Sequence, residues 1–188
     1  MVESRRQQID EAASLLFHAR GYPATSVRDI ARALDLQGPS LYAHVASKED
    51  LLWSIAVQAA DRFANAQRLA EAPGPPADRL KALITAHVAI VTAEPAQAAV
   101  FLQEWRHLGP ERRAEMGRRR DAYEHAIRAL LSDGIARRTF RPVDATVAAA
   151  AVLSALNGLA AWYRSDGPIR PDELAATIAD LFLAGLRA

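Results

Sequence analysis

Residues 25–45 read Thr25-Ser26-Val27-Arg28-Asp29-Ile30-Ala31-Arg32-Ala33-Leu34-Asp35-Leu36-Gln37-Gly38-Pro39-Ser40-Leu41-Tyr42-Ala43-His44-Val45, a pattern that predicts two short helices joined by a tight turn. Ser26 suits an N-cap, because its hydroxyl can accept from an orphaned helix N–H. Asp29 follows three residues later and approximates a capping box, with Asp in place of the usual Glu. Val27, Ile30, Ala31 and Leu34 share one face, and the helix ends near Asp35 after about two turns. Gly38-Pro39 opens the next helix, where a missing proline N–H costs nothing. Leu41 and Val45 turn inward, which leaves Ser40, Tyr42, Ala43 and His44 largely on other faces.

Helices this short do not stand alone, so neighbours must brace them. Upstream, Ile9, Ala12, Ala13, Leu16 and Phe17 form one stripe of a helix that Gly21 ends. Downstream, Ser47-Lys48-Glu49-Asp50 repeats the start signal and leads into a long helix with Leu51, Leu52, Ile55, Ala59 and Phe63 inward. Ala72-Pro73-Gly74-Pro75-Pro76 is the strongest break in the chain. Beyond it, helices are expected at about 77–92, 95–107, 111–135, 143–164 and 171–187, with proline-marked breaks between them. The expected fold class is all-α. A three-helix helix-turn-helix domain is expected over 1–50 and a larger helical domain over 51–188, with helix 51–70 linking the two.

The composition excludes several other classes. The 188 residues contain no cysteine, so disulfide scaffolds, thiolate zinc sites and a cysteine nucleophile are ruled out, and a reducing cytoplasm is the expected compartment. Met1-Val2-Glu3-Ser4-Arg5-Arg6 has no apolar h-region, which predicts no signal peptide. The most apolar stretch, Val147 to Tyr163, contains Ser154 and Asn157 between Asp144 and Arg164, and reads as a bundle helix rather than a membrane span. Glu104 and His107 stand three apart like one arm of a di-iron bundle, but no second arm exists, since Glu124 and His125 diverge around their helix. There is no Gly-x-Gly-x-x-Gly, P-loop, His-Glu-x-x-His or serine elbow. No cofactor, metal or catalytic residue is expected.

Two short helices around an apolar contact allow the second to enter a DNA major groove. Charge alone does not argue for this, because residues 1–52 hold six Arg/Lys against seven acids. Geometry and a few placed donors must carry the binding: Thr25 or Ser26 at one helix start and Lys48 at another are positioned to meet phosphates.

Residues 9–52 resemble the DNA-binding domain of the TetR family of regulators. The likeness runs through Ile9, Ala12-Ala13, Leu16-Phe17, Gly21-Tyr22, Thr25 to Ala31, Leu34, Gly38 to Val45 and Lys48 to Leu52. It implies that Tyr42 packs on or bonds to a phosphate, with His44 and Lys48 also near the backbone. Gln37, Gly38, Pro39, Ser40 and Ala43 sit where the family reads bases, Gln37 suiting adenine, and Arg28 would reach a guanine or a phosphate. Asp35 stands where the family usually has glycine, and aspartate tolerates the left-handed turn. The resemblance implies double-stranded operator DNA, a small-molecule effector and a second copy of the chain as partners, with repression the commonest mode.

The last two helices, about 143–164 and 171–187, are the expected homodimer interface, since small residues in the first allow close approach and Leu174, Ile178, Leu181, Phe182 and Leu186 stripe the second. The middle helices are expected to enclose the effector, with His87, Phe101, Trp105, Tyr123, Ile127, Asn157 and Trp162 as candidate contacts. Residues 105–141 carry ten arginines against five acids, either a solvated face or a site for an anionic ligand. The stretch Tyr123–Phe140 and the segment from Trp162 to Gly167 resemble C-terminal domains of TetR-family regulators of lipid and steroid degradation, some of which sense acyl-CoA thioesters. A helical adaptor that binds protein instead of DNA is the alternative, and retention of Tyr42 and Lys48 argues against it.

Overall fold

The computed structural model describes residues 4–187. Their helices are α1 (Arg5–Arg20), α2 (Val27–Ala33), α3 (Gly38–Tyr42), α4 (Lys48–Glu71), α5 (Pro76–Ala93), α6 (Pro95–Gln103), α7 (Pro110–Ala136), α8 (Ala145–Trp162) and α9 (Pro171–Leu186), with a 3-10 turn over Glu104–His107. Among the described residues there is no strand, only an isolated antiparallel bridge between Phe140 and Arg187.

Two compact units form. The first joins the described residues through Ala60 to Ala96–Gly117, and the second joins Asp61–Pro95 to the chain from Arg118 onward. The expected division at residue 50 differs from this, because α6, the 3-10 turn and the head of α7 fold with the helix-turn-helix. The periodicity that suggested one helix over 95–107 also breaks at Gln103, where the backbone tightens into the 3-10 turn before Gly109-Pro110.

In the first unit, Ile9, Ala13 and Phe17 of α1 are buried with Ile30 of α2, Leu41, Val45, and Leu51, Leu52 and Ile55 of α4. Each full burial of such a large apolar side chain stabilises by about 1.5–3 kcal/mol. The capping box on α2 is complete: Ser26 Oγ accepts from the Asp29 N–H, and the Asp29 carboxylate accepts from the Ser26 N–H. Ser47 Oγ likewise accepts from Asp50 N–H at 3.0 Å at the start of α4. Asp35 takes a left-handed φ of 52°, which brings the Leu36 N–H back to the Ala31 carbonyl at 2.9 Å and forms the turn.

In the second unit α5 packs against α8 and α9. Its core holds Phe63, Leu80, Leu83, Ile84, Val88, Ile127, Leu131, Val152, Leu156 and Leu174. Arg79 fastens the Pro-Gly loop, donating to the Ala70 carbonyl near the end of α4 and to Asp133 Oδ2 at 2.8 Å. Asp144 caps α8 by accepting from Thr146 and Val147 N–H. By length and composition α8 could cross a membrane, yet in the unit Ala149, Val152, Leu156 and Leu159 are buried while Val147, Ala150, Ala151, Ser154 and Ala155 are exposed.

Candidate functional site

The helix-turn-helix presents its polar residues as the spacing predicts. Leu41 and Val45 are buried, while Ser40, Tyr42, Ala43 and His44 are exposed, Tyr42 to 56%. Regular α3 ends at Tyr42, but the Val45 N–H still bonds to the Leu41 carbonyl at 3.2 Å, so the helical course continues to the second anchor. Exposed Gln37 is the N-cap of α3 and exposed Arg28 lies on α2. Together with Ala31, Arg32, Asp35 and Leu36 they line an open concavity of about 430 Å³. The surroundings of Gly38 and Pro39 lie outside the described residues.

Ser26 is exposed at the start of α2, where its carboxylate partner Asp29 is held below the usual range by the Ser26 hydroxyl and N–H. Thr25 does not match the expectation of a hydroxyl at a phosphate. It is 1% exposed, and its hydroxyl donates to the carbonyls of Gly21, at 2.9 Å, and Leu16. That hydroxyl closes the turn after α1 instead. Lys48 Nζ donates to the carbonyls of Tyr22 (2.9 Å) and Thr25 (2.8 Å) and lies 4.1 Å from the centre of the Tyr22 ring. An ammonium has three donors, so one remains outside these two bonds. The lysine therefore ties the head of α4 to the start of α2 as well as offering charge there.

Several residues of this unit carry no motif. Asp10, 2% exposed on α1, accepts from Arg6 Nε (3.1 Å), Ser54 Oγ (2.9 Å) and Gln58 Nε2 (2.8 Å), so α1 and α4 are joined through one satisfied carboxylate. Arg6 also donates to the His44 carbonyl at 3.0 Å, steadying the end of the recognition segment. A carboxylate beside Ile9 and Ala13 on an apolar stripe was the available signal for Asp10.

The segment after α6 grips the same domain. Glu104 Oε2 accepts from the Tyr22 N–H at 3.2 Å, and the His107 ring stacks on Tyr22 at 5.6 Å. Glu49 Oε1 accepts from the Gly109 N–H at 3.2 Å, while Arg112 pairs with Asp50 at 3.1 Å and lies over the Trp53 ring. The stretch 104–112 is thus bonded both to the turn that carries the acceptors of Lys48 and to the head of α4. Separations as long as 82 residues give sequence periodicity nothing to detect.

Of the expected effector contacts, the structure brings His87 and Tyr123 together in the core of the second unit. His87 Nδ1 lies 3.1 Å from Tyr123 Oη, and Phe63 packs edge-on against both rings. Burial pushes the His87 pKa down to about 3 and raises that of Tyr123. Ile127 is buried in the same unit, Asn157 is half-buried on α8, and Trp162 at the end of α8 is 53% exposed. Phe101 and Trp105 fold with the first unit. Many of the arginines have partners within the protein: Arg112 with Asp50, Arg119 with Asp61, Arg137 with Asp133 and Arg141 with the Gly185 carbonyl.

A helix-turn-helix carried on an all-helical chain with a second helical core defines a class of ligand-responsive DNA-binding regulators. Residues 9–55 match the family described as bacterial regulatory proteins, tetR family, and residues 73–186 match the tetracyclin repressor-like C-terminal domain. The chain belongs to the TetR family of transcriptional regulators. It is 28% identical to the HTH-type transcriptional repressor KstR2 of Mycobacterium tuberculosis over 98% of this chain and 94% of that protein. The solved structure of that ketosteroid transcriptional regulator superposes with a TM-score of 0.93, covering 100% of this chain and 97% of that one. The TetR-family regulator PfmR from Thermus thermophilus is 38% identical over 96% and 99% of the two chains, with a TM-score of 0.85. AibR, solved with isovaleryl coenzyme A and operator DNA, is 28% identical over 95% and 97%, with a TM-score of 0.83.

Proposed function

We propose that this protein is a homodimeric repressor that holds a palindromic operator and releases it when a small hydrophobic, acyl-CoA-like effector enters the helical core of the second unit. The observation that carries this is the outward polar face of α3, set on buried Leu41 and Val45, in a chain that over 95% of its residues resembles a regulator solved with both an acyl-CoA and its operator. Ser40, Ala43 and Gln37 face bases, with Gly38 and Pro39 at the same helix start. Tyr42, His44, Ser26 and the free donor of Lys48 meet phosphates, and Arg28 reaches a base or a phosphate beside Gln37.

One such reading helix has limited affinity, and two related by a two-fold axis read a palindrome. The exposed face of α8 and α9 supports a partner copy there. Val147, Ala150, Ala151, Ser154 and Ala155 on one helix and Ala176, Leu181 and Ala184 on the other are small or apolar and uncovered. The effector acts by binding the released form better than the DNA-competent one. Ala96–Gly117 folds with the helix-turn-helix although its two ends continue into α5 and α7 of the second unit, which gives a covalent route for that bias.

The test is fluorescence anisotropy of the purified protein on duplexes tiling the DNA beside its own gene, at fixed near-physiological salt. Sequence-dependent binding of two protomers or a multiple per duplex, reversed by acyl-CoA, is the expected result. Absence of any preference over random DNA across genome-wide fragments, after removal of bound ligand, would sink the proposal in favour of a protein-binding adaptor.

A further inference from the structure

His87 Nε2 is a polar atom in the core of the second unit with no hydrogen-bond partner. Its other nitrogen, Nδ1, lies 3.1 Å from the Tyr123 hydroxyl, and Phe63 sits against both rings at 4.9 and 5.6 Å. Leu83, Ile84 and Val91, which share the His87 face of α5 by helical spacing, are all buried and apolar. The large majority of buried polar groups in native proteins have a hydrogen-bond partner, so an orphan here points to an occupant.

Counting hydrogens fixes what the orphan is. If the Tyr123 hydroxyl donates to Nδ1, the single ring hydrogen sits on Nε2 and one group is left unmade. If Nδ1–H donates to the tyrosine oxygen instead, both the hydroxyl hydrogen and the Nε2 lone pair are left unmade. The first arrangement wins, because each buried unmade bond carries its full desolvation cost. His87 therefore presents an Nε2–H donor. Desolvation keeps this ring neutral, and its buried apolar neighbours offer no countercharge to a desolvated carboxylate or phosphate, so a neutral acceptor suits the site.

We infer that His87 Nε2–H, positioned by Tyr123, donates a hydrogen bond to a neutral carbonyl oxygen of the effector, the thioester carbonyl in an acyl-CoA. This rests on the proposal that the effector occupies the core of the second unit, and it specifies the group recognised there. His87 selects the carbonyl, and the apolar walls take the acyl chain.

The experiment pairs isovaleryl coenzyme A with its thioether analogue, in which a methylene replaces the carbonyl, and adds a 3-ketosteroid as a carbonyl probe without coenzyme A. Binding to the full-length dimer is measured by calorimetry, and the His87 Nε2 resonance is followed in protein labelled with ¹⁵N-histidine. The thioester is expected to bind up to about tenfold more tightly than the thioether, the worth of one neutral hydrogen bond. Its binding should shift the Nε2 resonance. His87→Phe should abolish the preference, and His87→Gln, which keeps an N–H donor, should restore part of it. His87→Phe removes the unmade Nε2 bond but leaves the Tyr123 hydroxyl without its Nδ1 acceptor, so the melting temperature of the ligand-free protein should change little, and His87→Phe combined with Tyr123→Phe, which leaves neither group unmade, should not lower it.

Equal affinity for thioester and thioether, or a preference that survives His87→Phe, overturns the inference and leaves the acyl-CoA effector standing. A resonance that stays put when a carbonyl probe binds does the same. Binding of the ketosteroid alone, with the Nε2 shift, supports the inference and removes the acyl-CoA reading. Failure of all three compounds to bind overturns both.

Discussion

Glu104 Oε2 accepts a hydrogen bond from the backbone N–H of Tyr22 at 3.2 Å, although 82 residues separate them. The Tyr22 carbonyl is in turn an acceptor for Lys48 Nζ, and the Tyr22 ring contacts both that ammonium and the His107 ring. The turn after α1 is thus held by α4 from one direction and by the segment after α6 from another. Removing the carboxylate takes away the protein acceptor of the part-buried Tyr22 N–H. Glu104→Ala should cost about 1–2 kcal/mol and a few degrees of melting temperature. It should also weaken operator binding, because the turn positions Ser26 and Lys48. Glu104→Gln keeps an acceptor oxygen and should stay close to wild type in both calorimetry and anisotropy.

Tyr42 and Lys48 should separate binding from folding. Tyr42 is 56% exposed and has no hydrogen bond or ring contact among the described residues, whereas the Lys48 ammonium satisfies two backbone carbonyls. Tyr42→Ala should weaken operator binding about tenfold or more at an unchanged melting temperature, since a hydrogen bond to a charged phosphate is worth about 1.5–3 kcal/mol. Lys48→Ala should weaken binding and also lower the melting temperature. Equal melting losses in the two variants would mean that Tyr42 has a packing duty after all.

Much of the fold was legible in the sequence because its signals are local. Ser26 with Asp29, Ser47 with Asp50, and Pro39 in the first turn of α3 act within one turn of helix, and all take the places the spacing assigns them. Leu41 and Val45 followed from helical periodicity in the same way. Thr25 misled because a hydroxyl next to a helix start can cap outward or close a turn inward. The choice depends on the Gly21 carbonyl, whose direction no local pattern encodes. Asp10, Glu104 and Arg112 owe their roles to partners brought near by tertiary packing, and for the same reason two boundaries of the compact units, after Ala60 and after Gly117, fall inside α4 and α7 rather than at proline-marked breaks.

Gly134 is a glycine because of Phe140. A Cβ at residue 134 would lie 2.1 Å and 2.3 Å from the Phe140 Cδ2 and Cε2 atoms, and that ring is only 3% exposed. The Phe140 N–H also bonds to the Gly134 carbonyl at 3.0 Å, so backbone and ring are pinned together. Gly134→Ala should destabilise by about 1–3 kcal/mol through overpacking. In a double-mutant cycle measured by denaturant unfolding, Phe140→Ala should cost less in the Gly134→Ala background than in wild type. Additive costs would show that the ring escapes the clash by another route.

Leu181, 68% exposed on α9, and Val147, 66% exposed on α8, test the proposed dimer face. A single glutamate at Leu181 places a charge in each half of a two-fold interface and so opposes two desolvated charges across it. Leu181→Glu should shift the protein toward the monomer by analytical ultracentrifugation and reduce operator binding. The fold of the monomer, followed by circular dichroism, should persist. A variant that stays dimeric would move the interface away from α9.

His87 also gives the second unit a predicted dependence on acidity. In the unfolded chain a histidine takes up its proton near pH 6.5, whereas buried His87 resists protonation until about pH 3. Above pH 6.5 the two states bind the same number of protons at this site, and it contributes nothing to the slope. Between pH 6.5 and 3 the unfolded chain binds more, so this group removes stability as pH falls, by roughly 1 kcal/mol per pH unit. Phe63 and Tyr123 are the rings against His87, and neither carries charge in that window, so neither ring offsets the loss. Chemical denaturation from pH 7.5 down to 4.5 should show His87→Phe losing stability less steeply than wild type, the gap opening only below about pH 6.5. Parallel curves would mean that the imidazolium finds a partner inside the core, and they would remove the physical basis for a neutral donor at Nε2.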